Sequence, residues 1–221
     1  GDVLPLWVAE MDVELAPPIA EALHAAVARG DTGYSHRGTL PEAYADFSRD
    51  RFGWAPEPDL ISLAPNVMTG VAEVLRLVTA PGDGVVINPP VYAPFWGFIR
   101  HAGRTPVEVP MIADGEGGYA LDLDGIERAF ASGARAYLLC NPHNPIGGVR
   151  AREELEAIAD LAARYDVIVL ADEVHAPLTY PGVTHIPFGS LDHDAAQRAV
   201  MFVSASKGWN LPGLTAALIV A

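Results

Sequence analysis

The sequence predicts a doubly wound α/β domain, in which a mostly parallel sheet lies between two layers of helices. Several apolar runs contain no alternating polar residues, among them AYLLC, VIVLA and VMFV. Such runs are typical of strands that are buried on both faces of a parallel sheet. The stretches between them have helical apolar spacing with recognisable start and stop residues, so strands and helices alternate along the chain.

The elements follow this alternation in order. Pro17 and Pro18 begin a first helix that Gly30 ends, and Thr39 with Glu42 predicts a capping box for a second helix that ends before Gly53. We expect helices over residues 17–27, 40–52, 67–78, 94–101, 123–130 and 153–164. We expect strands over residues 60–63, 85–88, 105–109, 134–140, 167–171 and 200–204.

Composition limits the classes of function. The chain has 221 residues, half of them apolar, a length that suits one large domain without excluding two small ones. A formal net charge of -14 without a basic run disfavours nucleic acid and anionic membrane partners, so the ligand should be small. No apolar run approaches the roughly 20 residues of a membrane-spanning helix. The single cysteine, Cys140, fits a reducing cytoplasm.

Arginine greatly outnumbers lysine among the basic residues. Of the 14 lysines and arginines only one, Lys207, is a lysine, and it comes just after the predicted strand 200–204. Lysine, unlike arginine, can lose its proton and attack a carbonyl to form a Schiff base. Lys207 is therefore a candidate catalytic residue, although a solvated surface lysine is the simpler alternative.

Other predicted strands end in groups that complement Lys207. Ligands of doubly wound sheets bind beyond the carboxyl ends of the strands, where loops lead into helices. The groups at these ends are the helix start at Val67, Met68 and Thr69, the ring of Tyr92, the polar residues Asn141, His143 and Asn144, and the pair Asp172 and His175. A helix start binds phosphate, an aromatic ring stacks, and a carboxylate pairs with a ring nitrogen. Together with Lys207 these groups meet the needs of a phosphorylated pyridine aldehyde.

Each of these residues also has a structural interpretation. Asp172 could cap the segment after its strand, Asn144 could be a turn residue between prolines, Tyr92 could belong to the core, and His175 could be a structural histidine. His143, His175 and His185 could indicate a metal, but their spacing is not that of a metal site. The hypothesis depends on several strand ends that supply complementary groups together.

The motifs resemble those of a known family. The strings NPHNPIGG, ADEVHAPL and SASKGWNLPGL resemble the fold-type I pyridoxal 5'-phosphate enzymes of the class I/II aminotransferase group. The strings WVAEMD, GYSHRG and HIPF, with the histidine in ADEVH, are similar to the MalY/PatB branch of cystathionine β-lyases and related carbon-sulfur lyases. The resemblance covers the whole chain, and the combination of strings is more specific than any single one.

The resemblance implies a role for each residue around the cofactor ring. Lys207 would form the Schiff base with pyridoxal 5'-phosphate, and Asp172 would pair with the pyridinium nitrogen. Asn144 and His175 would contact the ring hydroxyl, and Tyr92 would stack on the ring.

The resemblance also implies a phosphate site and a homodimer. Val67, Met68, Ser204 and Ser206 would bind the phosphate. Tyr34 resembles the tyrosine that reaches the phosphate of the neighbouring subunit, so the active sites of a homodimer would be shared.

The resemblance implies a domain organisation as well. Residues 1–30 would be an N-terminal segment, with residues 7–12 at the substrate entrance, and residues 31–221 would be the large cofactor-binding domain. The small C-terminal domain that holds the ligand of the substrate carboxylate would be absent, which indicates a fragment. The apolar strand that ends the chain, at residues 218–220, would then leave an exposed edge.

The function implied is a carbon-sulfur β-lyase of amino-acid metabolism that releases a thiol, pyruvate and ammonia from an S-substituted cysteine. Many aminotransferases of the group have arginine eight residues after the lysine, where this chain has Thr215, a difference that favours the lyase. A class I/II aminotransferase is the first alternative. A cofactor-binding regulatory domain or inactive fragment is the second.

Overall fold

The computed structural model describes residues 3–4, 8–34, 36–113, 115 and 117–221. The strands are β1 Ile61–Ala64, β2 Gly84–Ile87, β3 Thr105–Glu108, β4 Ile112–Ala113, β5 Tyr119–Ala120, β6 Ala136–Cys140, β7 Ile168–Asp172, β8 Val200–Val203 and β9 Ala217–Val220. The helices are α1 Pro17–Ala28, α2 Leu40–Phe52, α3 Val67–Val78, α4 Pro94–His101, α5 Leu123–Ala131, α6 Arg152–Tyr165, α7 Asp194–Gln197 and α8 Ala205–Gly208.

The central sheet has the strand order β1-β9-β8-β7-β6-β2-β3. Strands β8, β7, β6, β2 and β3 pair in parallel, whereas β9 is antiparallel to both β8 and β1. The predicted mostly parallel sheet is thus confirmed. The parallel pairing places the carboxyl ends of β6, β7 and β8 side by side at one edge.

Helices cover both faces of the sheet, which confirms the three-layer architecture. One core packs α3 and α4 against the sheet and includes Phe95, Ile99 and Phe202. The other packs α5 and α6 against the opposite face and includes Ile126, Leu155 and Phe188. Strand β7 contributes alternately to the two cores, because Leu170 belongs to the first and Val169 to the second. This alternation explains the continuous apolar run in its sequence.

Two local expectations were wrong. Residues 218–220 do not form an exposed edge, because β9 inserts between β8 and β1 and buries Leu218 and Val220. The capping box at α2 does not form, since the side chain of Thr39 makes no cap hydrogen bond and Glu42 accepts a hydrogen bond from Arg37 at 3.3 Å. A short antiparallel pair, β4 with β5, was not predicted.

The N-terminal helix differs from the other long helices. None of the residues of α1 is buried, and Val27 is 73 % exposed.

None of the helices in the described part of the chain combines the length and apolar composition of a membrane-spanning helix.

Candidate functional site

A cleft of about 540 Å³ opens at the carboxyl edge of the sheet. Its walls come from the segments that follow β1, β2, β6, β7 and β8, together with the residues just before β9. Nine of the ten residues to which the family resemblance assigns a role at the cofactor line this cleft: Val67, Met68, Tyr92, Asn144, Asp172, His175, Ser204, Ser206 and Lys207. The reversed direction of β9 explains why Thr215 and Ala216 also line it, since the amino end of this strand lies at the same edge.

Lys207 lies in the one-turn helix α8, directly after β8, and its side chain is only partly exposed. Its positive charge acts on two other residues of the cleft. It opposes the rise in the pKa of Asp172 and adds to the fall in the pKa of His175, for which burial is the larger cause in each case. No carboxylate of the described residues forms a salt bridge with Lys207. Lys207 thus lines the same cleft as the carboxyl group of Asp172 without forming a salt bridge to it.

Asp172 is the last residue of β7 and is 4 % exposed. Burial raises its pKa to about 7, against a partial compensation from the N–H of Val174, which donates to Oδ1 at 3.2 Å. The capping interpretation of Asp172 is therefore correct for one oxygen. Because a buried carboxylate is costly without a cation, Asp172 is prepared to stabilise a cationic group in the cleft.

Asn144, His175 and Tyr92 surround the same space from separate segments. The Asn144 N–H donates to Sγ of Cys140 at 3.4 Å, which holds the start of the loop against β6. The ring of Tyr92 contacts Phe95 edge to face at a centroid distance of 5.8 Å and is 37 % exposed, so one part of the ring faces the cleft. Burial and then the charge of Asp172 raise the pKa of Tyr92.

The start of α3 presents backbone N–H groups in the cleft wall. Asn66 caps this helix by accepting a hydrogen bond from the Thr69 N–H at 2.8 Å. The Thr69 N–H, predicted from the sequence to donate to phosphate, donates to this cap instead. The same bond orients the first turn of α3. Among the described hydrogen bonds none involves the N–H groups of Val67 and Met68, which remain available to an anion.

Ser204 and Ser206 lie at the end of β8 and the start of α8. The hydroxyl of Ser204 donates to the Ala216 carbonyl at 2.7 Å and accepts from the Ser206 N–H at 3.1 Å. These bonds tie the lysine turn to the start of β9. Ser206 also lines the cleft, and its hydroxyl has no hydrogen bond among the described residues.

The N-terminal segment reaches the mouth of the cleft. Val8 and Ala9 line it, and Met11 exchanges two hydrogen bonds with the side chain of Asn210, at 3.0 and 2.8 Å. Of the entrance residues predicted at 7–12, Trp7 lies outside the described residues.

Three other predicted polar residues do not line the cleft. Tyr34 is fully exposed and is not part of the cleft lining. His143 is 2 % exposed and its Nε2 lies 2.9 Å from the Pro90 carbonyl oxygen. Asn141 is buried and accepts a hydrogen bond from the Arg150 N–H at 3.0 Å. His143 and Asn141 thus organise the loop that carries Asn144.

Sequence reasoning missed Asn66, Cys140 and Asn210. An Asn before a helical apolar run is a recognisable cap signal, and Cys140 ends a predicted strand, so both could have been found. Asn210 depends on a contact across 199 positions, for which the sequence gives no signal. Among the described residues no group of three or more potential metal ligands occurs.

The fold and the cleft define a class of protein: a doubly wound domain in which a lysine, a buried carboxyl group and the start of a helix line one cleft. The chain belongs to the aminotransferase class I and II family, whose model matches residues 2–221.

Individual relatives agree with this assignment. A protein of Mycobacterium leprae whose name includes the words cystathionine beta-lyase is 48% identical over 229 residues, which cover 100% of this chain and 56% of that protein. The cystathionine beta-lyase of Corynebacterium glutamicum is 37% identical over 219 residues, 99% of this chain and 57% of the relative. The chain therefore spans little more than half the length of the curated relatives it matches.

A solved structure gives the same answer for the fold. Cystalysin from Treponema denticola, whose crystal structure contains pyridoxal 5'-phosphate, has a TM-score of 0.93 with this chain at 31% identity. The match covers 100% of this chain and 56% of cystalysin.

Proposed function

We propose that this chain is the cofactor-binding part of a pyridoxal 5'-phosphate-dependent carbon-sulfur β-lyase of the cystathionine β-lyase type. The observation that carries the proposal is the convergence of Lys207 and the buried Asp172 with the start of α3 in one cleft. The name of the C. glutamicum relative and the cofactor in cystalysin support the same function. When bound, the cofactor would supply an electron sink for the charge that develops at the substrate Cα.

The residues of the cleft would divide the work of binding. Asp172 would hold a proton on the ring nitrogen, and this cation would offset the burial that raises its pKa to about 7. Asn144 and His175 would contact the ring hydroxyl, and Tyr92 would cover one face of the ring. Each of these side chains lines the cleft, so the same small molecule could contact all of them.

The phosphate would bind at the opposite wall. The free N–H groups of Val67 and Met68 would donate to it, and the partial positive charge of the α3 start would stabilise its negative charge. Ser206, and Ser204 after rotation of its hydroxyl from Ala216, would complete the phosphate ligands.

Lys207 would carry out the proton transfer. Its amine would hold the cofactor and, once displaced by the amino group of the substrate, would take the proton from Cα. Loss of the thiolate from Cβ, followed by hydrolysis of the remaining enamine by water, would then give pyruvate and ammonia. Thr215 in the cleft wall, in place of an arginine, supports the lyase over an aminotransferase.

The proposal extends to the assembly and the domains. Tyr34 is fully exposed, which suits a residue that reaches the phosphate of a partner subunit in a homodimer. Residues 1–30 would form the entrance segment and residues 31–221 the large domain, and the ligand of the substrate carboxylate would lie on a small domain outside these 221 residues. A cytoplasmic location is supported by the free, buried thiol of Cys140.

The test is product formation by the full-length gene product. With cystathionine or another S-substituted cysteine and no added keto acid, we expect pyruvate and a free thiol in equal amounts. Pyruvate release that requires a keto acid acceptor would replace the lyase with an aminotransferase. Cofactor binding without turnover of any of these substrates would favour the regulatory alternative.

A further inference from the structure

A second carboxylate, Glu173, is buried directly behind the cleft. It follows Asp172 in the chain but does not line the cleft, and its side chain points to the other side of β7. There Oε1 accepts a hydrogen bond from the Phe188 N–H at 2.8 Å, and Oε2 lies 3.3 Å from Nε2 of His185. The side chains of Glu173 and His185 are 1% and 0% exposed.

The backbone of Glu173 is fixed as firmly as its side chain. Its N–H donates to the Phe202 carbonyl of β8 at 2.9 Å, and its carbonyl accepts from the Ala176 N–H at 2.9 Å. The second bond closes the turn that carries His175. Glu173 therefore joins the end of β7, the turn of His175 and the turn at Phe188, three segments that set the position of two cleft residues.

The surroundings of this pair contain few other charges. The α2 residue Tyr44 lies near Glu173, whose charge adds to the effect of burial in raising the pKa of the phenol. The ring of Phe52 packs edge to face on His185 at a centroid distance of 5.2 Å, and Asp50 and Arg51 border a surface cleft that reaches His185. A buried carboxylate next to Asp172 would be costly without a nearby cation, and His185 is the group placed to supply it.

We propose that Glu173 and His185 form a charge-balanced positioning pair, an anion with an imidazolium, which orients Asp172 and His175 and sets the electrostatic field at the bound cofactor. This inference rests on the proposed function, because the field matters only where a cofactor occupies the cleft. Glu173 contributes a negative charge behind Asp172, and His185 cancels it. Both are positioning residues, since neither reaches the cleft.

The balance can be tested by removing one charge at a time from the cofactor-loaded full-length protein. The readout is the pH at which the absorbance of the lysine-cofactor adduct changes on protonation. Glu173→Gln keeps an acceptor for Phe188 but removes the counter-ion of the buried imidazolium, which then gives up its proton, so both charges are lost together and the transition should stay within about 0.2 of a pH unit of the wild-type value. His185→Gln leaves the anion uncompensated, so the transition should move to higher pH. A unit charge across ~10 Å at an effective dielectric constant of about 20 shifts a pKa by roughly one unit.

The controls separate charge from packing. Glu156→Gln and His101→Gln are the matched exchanges on the surface and should leave the transition within about 0.2 of a pH unit. The double variant Glu173→Gln/His185→Gln should return it to the wild-type value. A transition that does not move in the His185→Gln variant, or that moves to lower pH in it, would overturn the charge-balanced pair.

A measurement on the wild-type protein decides the same point independently. The ¹⁵N chemical shifts of His185 at pH 7 should be those of an imidazolium, and neutral-imidazole shifts would overturn the proposal. This measurement needs no cofactor. Absence of any adduct with Lys207 would therefore defeat the proposed function, while the state of His185 would still decide the pair.

Discussion

Replacing Asp172 by asparagine should make the stability of the cofactor-free protein less dependent on pH. Asp172 is buried and its pKa is raised from 3.8 to about 7, so the folded chain holds this proton more tightly than the unfolded chain does. The resulting stabilisation is complete below pH ~4, decreases between pH ~4 and ~7, and is absent above that range. The amide of the Asp172→Asn variant cannot ionise and would not show this loss, but it still offers Val174 an acceptor.

The magnitude follows from the two pKa values. The difference between 3.8 and about 7 corresponds to a loss of about 4 kcal/mol in the free energy of unfolding at pH 8. At pH 5.5 the loss is about 2 kcal/mol by the same relation. The stability of D172N relative to wild type should therefore increase by about 2 kcal/mol between pH 5.5 and pH 8.

The assay is urea unfolding of both cofactor-free full-length proteins at the two pH values, followed by tryptophan fluorescence. Comparing the pH values cancels any constant cost of the buried amide. Asp59→Asn is the matched control, because that carboxylate is 98% exposed and should change stability by less than about 0.5 kcal/mol at either pH. A difference between D172N and wild type that does not depend on pH would refute the reasoning. With the cofactor bound, the wild-type protein should instead be more stable than D172N at pH 8, because the ring cation of the cofactor pairs with the carboxylate and not with the amide.

Substitutions at two further residues, Asn66 and Tyr34, test the phosphate site. Asn66→Ala should cost about 1 kcal/mol of stability through loss of the cap on Thr69, whereas Asn66→Asp should keep the cap and weaken cofactor binding about tenfold through charge repulsion, as measured by urea unfolding and by cofactor titration. Equal effects of both variants on stability would contradict the assignment of the cap. Tyr34→Phe should leave the unfolding curve unchanged, because the side chain is exposed, but weaken cofactor binding roughly tenfold in the proposed dimer. Unchanged cofactor affinity in this variant would remove Tyr34 from the site.

Most of the fold could be predicted from the sequence because its strands are buried on both faces. The runs AYLLC and VIVLA leave no solvent-facing alternation, so their place in a parallel sheet follows from composition alone. The position of β9 could not be predicted in this way. Strand β9 lies between β1 and β8, and this order is fixed only by long-range pairing. An apolar run does not by itself indicate whether its strand lies inside a sheet or at its edge.

The candidate site shows the same limit at the level of side chains. Asp172 and Lys207 each follow a buried strand, and the rule for parallel sheets brings such residues together. The hydrogen bonds between Met11 and Asn210 and the contact between Glu173 and His185 could not be predicted in this way, because they depend on long-range packing. The predicted capping box at Thr39 was wrong for a related reason: Glu42 pairs with the cation Arg37, which is a stronger hydrogen-bond donor than a backbone N–H.

The central claim is that Lys207 holds the cofactor. The direct measurement is borohydride reduction of the cofactor-loaded full-length protein, followed by proteolysis and mass spectrometry of the peptide with Lys207. We expect the mass of one reduced cofactor on this residue, and we expect Lys207→Ala to lose both the adduct and its visible absorbance. An adduct on any other residue of the wild-type protein, or an adduct that persists in the Lys207→Ala protein, would contradict the account.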